Sequence, residues 1–156
     1  ACNAMGILID LSHLNAAGFR DVAAISDRPL VPTHSNVHAI SPHARNLVDW
    51  QLAAIRDSGG VVGLNFACGF LRPDGLARTD TGIELMVRHV DALVEALGED
   101  GVALGSDFDG ALMPAPIRDV TGVPKLLQAL LDKGYGEPLV RKIAMGNWLG
   151  VLRRTW

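Results

Sequence analysis

The stretch GILIDLSHLN, residues 6–15, sets an apolar run directly against an acid, a hydroxyl and an imidazole. Gly6 to Asp10 has the length and near-continuous hydrophobicity of a strand covered on both faces, the pattern of parallel sheets. Three further runs share it: PLVPT (29–33), GVVGLNF (60–66) and GVALGSDF (101–108). Helical periodicity fills the gaps. Ile83, Met86, Val90, Leu93, Val94 and Leu97 form one apolar stripe at steps of three and four, with Arg88, Asp91 and Glu95 off it. Ala16 to Ile25 and Ala44 to Ile55 read as helices, the second started by Ser41 as cap and Pro42 in the first turn. Val123 to Leu131 and Leu139 to Leu152 complete the set, parted by Gly134-Tyr135-Gly136.

Strand followed by helix, four times over, predicts βαβ units and a parallel sheet. Two closures are open, an eight-stranded barrel or an open doubly wound sheet. A complete barrel takes about 250 residues and eight units. With 156 residues and four units, the chain as a barrel is half of one. A nucleotide-binding open sheet lacks its usual signatures, because neither GxGxxG nor GxxxxGK[ST] occurs.

Composition narrows the function. At 49% hydrophobic and 20% charged residues the chain has ample material for a core. A net charge of −3 with no basic run leaves no electrostatic footprint for nucleic acid or an anionic membrane surface. No apolar stretch approaches the roughly 20 residues that span a bilayer. ACNAMG at the start is unlike a signal peptide and reads as a processed or cut beginning. Cys2 and Cys68, far apart and without CxxC spacing, fit free thiols in a reducing compartment.

The polar residues gather at the carboxyl ends of the four runs: Asp10, Ser12 and His13; Thr33, His34, Ser35 and Asn36; Asn65; then Ser106, Asp107 and Asp109. In parallel α/β architectures that edge is where ligands bind. His13 and His34, at equivalent ends of successive strands, are candidate ligands of one zinc ion, which takes imidazole nitrogen at about 2.0–2.1 Å. Asp10 and Ser12 are expected to orient His13 or its neighbours. A carboxylate for proton transfer comes from Asp107 or Asp109. Arg45, in SPHARN, has a fork suited to the free carboxylate of a small peptide or amino acid. His38 and His43 share its loop and are expected at the pocket's periphery or toward solvent. His89, inside the amphipathic helix, reads as structural. The DFDG turn lacks the alternating oxygens and closing Glu of a calcium loop. Asn147 and Trp148 are expected to act as a cap and an aromatic anchor for the last helix.

DLSH (10–13), THSN (33–36) with HARN (43–46), GGVVGLNF (59–66), GSDFDG (105–110) and NWLGV (147–151) together resemble the membrane (renal) dipeptidase family of zinc peptidases. The resemblance implies the C-terminal half, the last four βα units, of a (β/α)8 TIM-type barrel. It implies a site with two zinc ions that cleaves dipeptides and related small amides. Matched by motif, His13 and His34 hold one ion, Arg45 grips the substrate carboxylate and Asp107 handles the proton of the leaving amine. A bridging hydroxide attacks the scissile carbonyl. Asn36 is expected to bind substrate beside Arg45, and Phe70, with Cys68 in ACGF (67–70), to shape side-chain preference.

The departures are also informative. The family's HxD motif, bridging glutamate and further histidine precede the matched region; the HxD triplet His89-Val90-Asp91 lies inside the amphipathic helix, and none of the four apolar runs ends in HxD. The expected partner is therefore an N-terminal half-barrel, and the expectation for the chain alone is an incomplete metal site without activity. Where the family shows HPRN this chain reads HARN, with Pro42 one place earlier. Two alternatives stand beside the dipeptidase: a related metal-dependent amidohydrolase acting on a lactam, an acylated amino acid or another small amide, and a non-enzymatic half-barrel binding module. The oligomeric state is left open, a homodimer included.

Overall fold

The computed structural model describes all 156 residues, Ala1–Trp156. Four extended segments pair in parallel and in chain order, giving an α/β fold. Asp10 bridges Val31 and Ser35 bridges Leu64. Two full strands follow, β1 (Val62–Asn65) and β2 (Val102–Ser106), in register from Val62 with Val102 to Leu64 with Leu104. The register then slips, and Asn65 lies opposite Ser106.

GILID and PLVPT thus do not form the full strands expected of them. Pro29 and Pro32 carry no N–H, so the second segment cannot complete a ladder. It still pairs where it can: the Pro32 carbonyl accepts from Gly63 N–H, and Ser35 N–H donates to the Gly63 carbonyl. The first segment joins only at its end, where Leu11 N–H donates to the Val31 carbonyl. Ile7 is left about half exposed.

The helices follow their stripes more closely. α1 (Ala16–Ile25) is capped by Asn15, whose Oδ1 accepts from Gly18 N–H, and it buries Phe19. α2 occupies Asp49–Asp57, not Ala44 to Ile55. Residues 41–47 fold as a loop instead, because Val37 bridges Leu47 and Asn46 Nδ2 donates to the carbonyls of Ser41 and Phe70. Those bonds hold the backbone out of helical geometry, and Gln51 Oε1 accepts from Val48 N–H where the helix does begin. A short helix, α3 (Cys68–Leu71), follows β1. α4 (Ile83–Leu97) buries Met86, Val90 and Leu93 as its stripe requires.

The last third is divided more finely than its periodicity suggests. α5 (Val123–Lys133) ends at Gly134, and α6 (Glu137–Arg141) runs through a π-helical turn, Lys142–Gly146, into α7 (Asn147–Thr155). Asn147 is not a cap. Its Nδ2 donates to the carbonyls of Glu99 and Val102 at 2.7 Å each, and Trp148 Nε1 donates to the Leu104 carbonyl at 2.9 Å. Trp148 is therefore the expected anchor, and Asn147 is a second tie of α7 to β2.

The core lies between this sheet and the helices, filled by Phe19, Ile55, Leu64, Phe66, Leu93 and Leu126 among others. Both cysteines are free, Cys68 buried and Cys2 half-buried. His89 is fully buried in this layer. Its Nδ1 accepts from Val37 N–H at 3.2 Å and its Nε2 donates to the Leu71 carbonyl at 3.0 Å, so it is a neutral Nε2–H imidazole with a structural role. No helix is long and apolar enough to cross a membrane.

Candidate active site

The carboxyl ends of the four segments bring together His13, His34, Arg45 and Asp107, with Asp10 and Asn65 beneath them. The two Nε2 atoms of His13 and His34 are 3.0 Å apart, and the ring centroids 5.0 Å. Two bare imidazole nitrogens at that separation repel unless a proton or a cation lies between them. An ion at the usual ~2.0–2.1 Å from each would subtend about 95° between them, so the pair fits two positions of a zinc coordination shell. No cluster of three or more His, Cys, Asp or Glu side chains is assembled in the chain, so the pair stands without a third protein ligand here.

His34 is the better fixed of the two. Its Nδ1 lies 2.7 Å from Thr33 Oγ1, and its backbone N–H donates to Ser12 Oγ at 2.9 Å. Asp10 organises that surrounding: Oδ1 accepts from Ser12 N–H, Ser12 Oγ–H and Thr33 N–H, and Oδ2 accepts from Thr33 Oγ–H at 2.6 Å. Burial raises the Asp10 pKa, but the hydrogen bonds from Ser12 and Thr33 outweigh it and leave the carboxyl below its ordinary value. For His34 burial lowers the pKa most; Asp10 and Asp107 oppose that, and Arg45 and His13 add to it, leaving it below 6.5. A neutral imidazole is the form that binds metal.

Arg45 projects from the 41–47 loop rather than from a helix. Its Nη2 lies 3.4 Å from His13 Nε2, its guanidinium carbon sits 5.6 Å from the centre of the Phe70 ring, and its backbone N–H donates to His43 Nδ1. Nη1 is buried and has no hydrogen-bond partner in the protein. A buried, unpaired N–H of a permanent cation is costly and suits an anionic ligand. Burial lowers the Arg45 pKa, with Asp107 and Asp10 acting against it.

Asp107 is presented by a turn of unusual backbone. Ser106, Asp107 and Asp109 have φ of 36°, 70° and 63°, in the left-handed region that only a well-supported turn sustains outside glycine. The support comes from Asn65, whose Nδ2 donates to Asp107 Oδ2 at 2.9 Å and to the His34 carbonyl at 3.3 Å, while Oδ1 accepts from Ala67 N–H. Asn65 had no assigned role in the sequence, although an amide closing the otherwise apolar run GVVGLNF is a visible signal.

The remaining expectations divide. Phe70 lies within reach of Arg45, with the His43 ring 4.6 Å from its own. Asn36 does not reach the site, because it is fully buried with its amide engaged: Nδ2 donates to the Asn65 carbonyl and Oδ1 accepts from Asn65 N–H. It holds Asn65, which holds Asp107, so its connection to the edge is indirect.

Residues 1–155 match the family described as membrane dipeptidase, peptidase family M19. An uncharacterized protein from the pqqA 5′ region of Klebsiella pneumoniae is 51% identical over 154 residues, which are 99% of this chain and 57% of that protein. The crystal structure of a metallopeptidase from Rhodobacter sphaeroides, liganded with a phosphinate mimic of the dipeptide L-Ala-D-Ala, superposes with a TM-score of 0.98 at 57% identity; the match covers 99% of this chain and 44% of that one. A crystal structure of a metallopeptidase, dipeptidase AC, gives the same TM-score and identity, with 99% and 46% covered. The chain thus spans about half the length of these relatives. With the motifs, the fold and these matches in agreement, the chain belongs to the membrane dipeptidase family, peptidase family M19.

Proposed function

We propose that the chain is the C-terminal half of a (β/α)8 barrel and contributes one wall of a zinc dipeptidase site. The observation that carries this reading is the convergence of the His13 and His34 Nε2 atoms with the unpaired Nη1 of Arg45 at the edge where Asp107 is displayed. The bare apolar side chains Met5, Ile7, Ile25, Met145, Leu149 and Trp156 support a further half-barrel as partner. In the full-length enzyme that half supplies the remaining ligands for two zinc ions.

His13 and His34 would hold one ion through Nε2, and a divalent ion bound there would supply Lewis-acid polarisation of a carbonyl and a water ionisable near neutral pH. Arg45 binds the dipeptide carboxylate through Nη1 and Nη2, fixing which amide faces the ion. Phe70 packs beside that carboxylate and limits the side chain next to it. Asp107, steadied by Asn65, delivers a proton to the departing amine nitrogen. The Rhodobacter relative's phosphinate ligand, a tetrahedral imitation of a dipeptide under attack, supports dipeptides as the substrate class.

The test is steady-state kinetics of the full-length enzyme on free dipeptides and on N-acylated amino acids. Zinc-dependent turnover that prefers dipeptides, and that is lost in His34→Ala, is the expected result. Undiminished turnover in His34→Ala would overturn the proposal, and a preference for acylated amino acids would move the substrate to another small amide.

A further inference from the structure

The hydrogen bonds around Asp10 contain more information than an anchoring role requires. Thr33 has one hydroxyl proton and two close neighbours that compete for it, Asp10 Oδ2 at 2.6 Å and His34 Nδ1 at 2.7 Å. A carboxylate can only accept. Asp10 is held as one, because three further donors, Ser12 N–H, Ser12 Oγ–H and Thr33 N–H, already converge on its Oδ1. The Ser12 proton is committed to Oδ1 at 2.6 Å, so the 3.4 Å approach of Ser12 Oγ to Thr33 Oγ1 does not supply a competing donor. The Thr33 proton therefore points to Asp10, and its oxygen faces His34 only as an acceptor. Nδ1 of His34 must carry the imidazole proton, which leaves Nε2 bare on the side facing His13.

We infer that Asp10, acting through the Thr33 hydroxyl, is a positioning residue that fixes His34 as its Nδ1–H tautomer and so keeps Nε2 ready to bind metal. This rests on the reading of His34 as a zinc ligand and adds the device that prepares it. Partners of this kind are worth roughly 10–100-fold in metal affinity where a carboxylate or carbonyl meets the imidazole directly; here a hydroxyl is interposed, which makes the direction of the relay reversible by one atom. In Asp10→Asn the amide oxygen must take the Oδ1 place, where three donors converge. The NH2 then faces Thr33 Oγ1, the hydroxyl turns to donate to His34 Nδ1, and the proton moves to Nε2.

The experiment uses the full-length enzyme, stripped of metal by chelation, 15N-labelled at histidine and held near pH ~8, where an imidazole is neutral. Two-bond 1H–15N correlations, with His34 assigned from the resonances missing in His34→Gln, report which nitrogen is protonated. Zinc affinity is measured separately by competition with a chelating dye. The expected pattern is Nδ1–H in the wild type and Nε2–H in Asp10→Asn, with zinc bound about 10–100-fold more weakly in that variant. Thr33→Ser should keep the wild-type tautomer and affinity, and Thr33→Val should lose both. An Nε2–H wild type overturns the inference, as does an Asp10→Asn or Thr33→Val protein with unaltered tautomer and affinity. If Asp10→Asn fails to fold, the wild-type tautomer and the two Thr33 variants decide. The spectrum requires no turnover: an Nδ1–H His34 in an enzyme inactive on dipeptides would refute the proposed function and leave the tautomer assignment standing.

Discussion

Gly63 on β1 and Gly105 on β2 approach closely, with Gly105 Cα 2.9 Å from the place a Cβ on Gly63 would occupy and the Thr33 carbonyl oxygen closing over both Cβ positions. The neighbours are backbone, so no rotamer change relieves the contact. Gly63→Ala should destabilise the protein by about 3 kcal/mol, the upper range for overpacking, measured as a lowered urea midpoint with unchanged slope. Because the displaced group is Thr33, residual zinc affinity should fall more than stability alone predicts.

Arg45 tests the carboxylate assignment. Arg45→Lys keeps the charge but loses the planar fork, so kcat/KM for dipeptides should fall about 100-fold in the full-length enzyme. The decline should appear mainly in KM, and dipeptide amides, which lack the carboxylate, should be nearly indifferent to the change. Equal losses on both substrates would remove Arg45 from carboxylate binding.

Asp107→Asn leaves shape and the Asn65 contact largely in place but removes the acid group proposed to deliver the proton. The expected effect is a fall of about 10²–10⁴ in kcat with KM little changed. Asn65→Ala should reduce kcat less while costing about 1–3 kcal/mol of stability, since Ala67 N–H and the His34 carbonyl lose their partner.

His89 gives the fold a pH dependence of known sign. Burial, the largest cause, brings its pKa from 6.5 to about 4, against the hydrogen bond to the Leu71 carbonyl, which raises it; Arg88 lowers it further. Above pH ~6.5 both folded and unfolded states are neutral at this position and no stability is lost. Between about 6.5 and 4 only the unfolded state takes up the proton, so stability should fall with pH by roughly 3 kcal/mol in all. Urea titrations at pH 7, 5.5 and 4.5 should show the slope, and His89→Gln should flatten it.

Much of this was readable from residue order. The α4 stripe, the polar clusters at the ends of the apolar runs and the pairing of His13 with His34 all express local periodicity or position along a strand, which the chain carries on its face. What escaped depends on contacts between segments distant in sequence. Ser41-Pro42 is a good helix start and predicts a helix through Arg45, yet Asn46, bonded to Phe70 twenty-four residues away, keeps that region a loop. Asn36 stands two residues after His34, as a site residue could, but both ends of its amide are taken up by the Asn65 backbone, which keeps it in the core. Asn147 had the composition of a cap and became a tie to β2, because a π-helical turn of five residues precedes it.

The backbone of the first extended segment pairs with its neighbour through one bridge at Asp10 and one bond from Leu11, with further ties in the side-chain bonds of Asp10 and Ser12 to Thr33 and His34. It is thus the least cooperative part of the sheet and the first to open locally. An ion shared by His13 and His34 would staple that loose margin to the next segment, so metal loading should slow amide exchange across residues 7–14 far more than within β1 and β2. In such a molecule the cofactor completes the fold at the same place where it completes the chemistry.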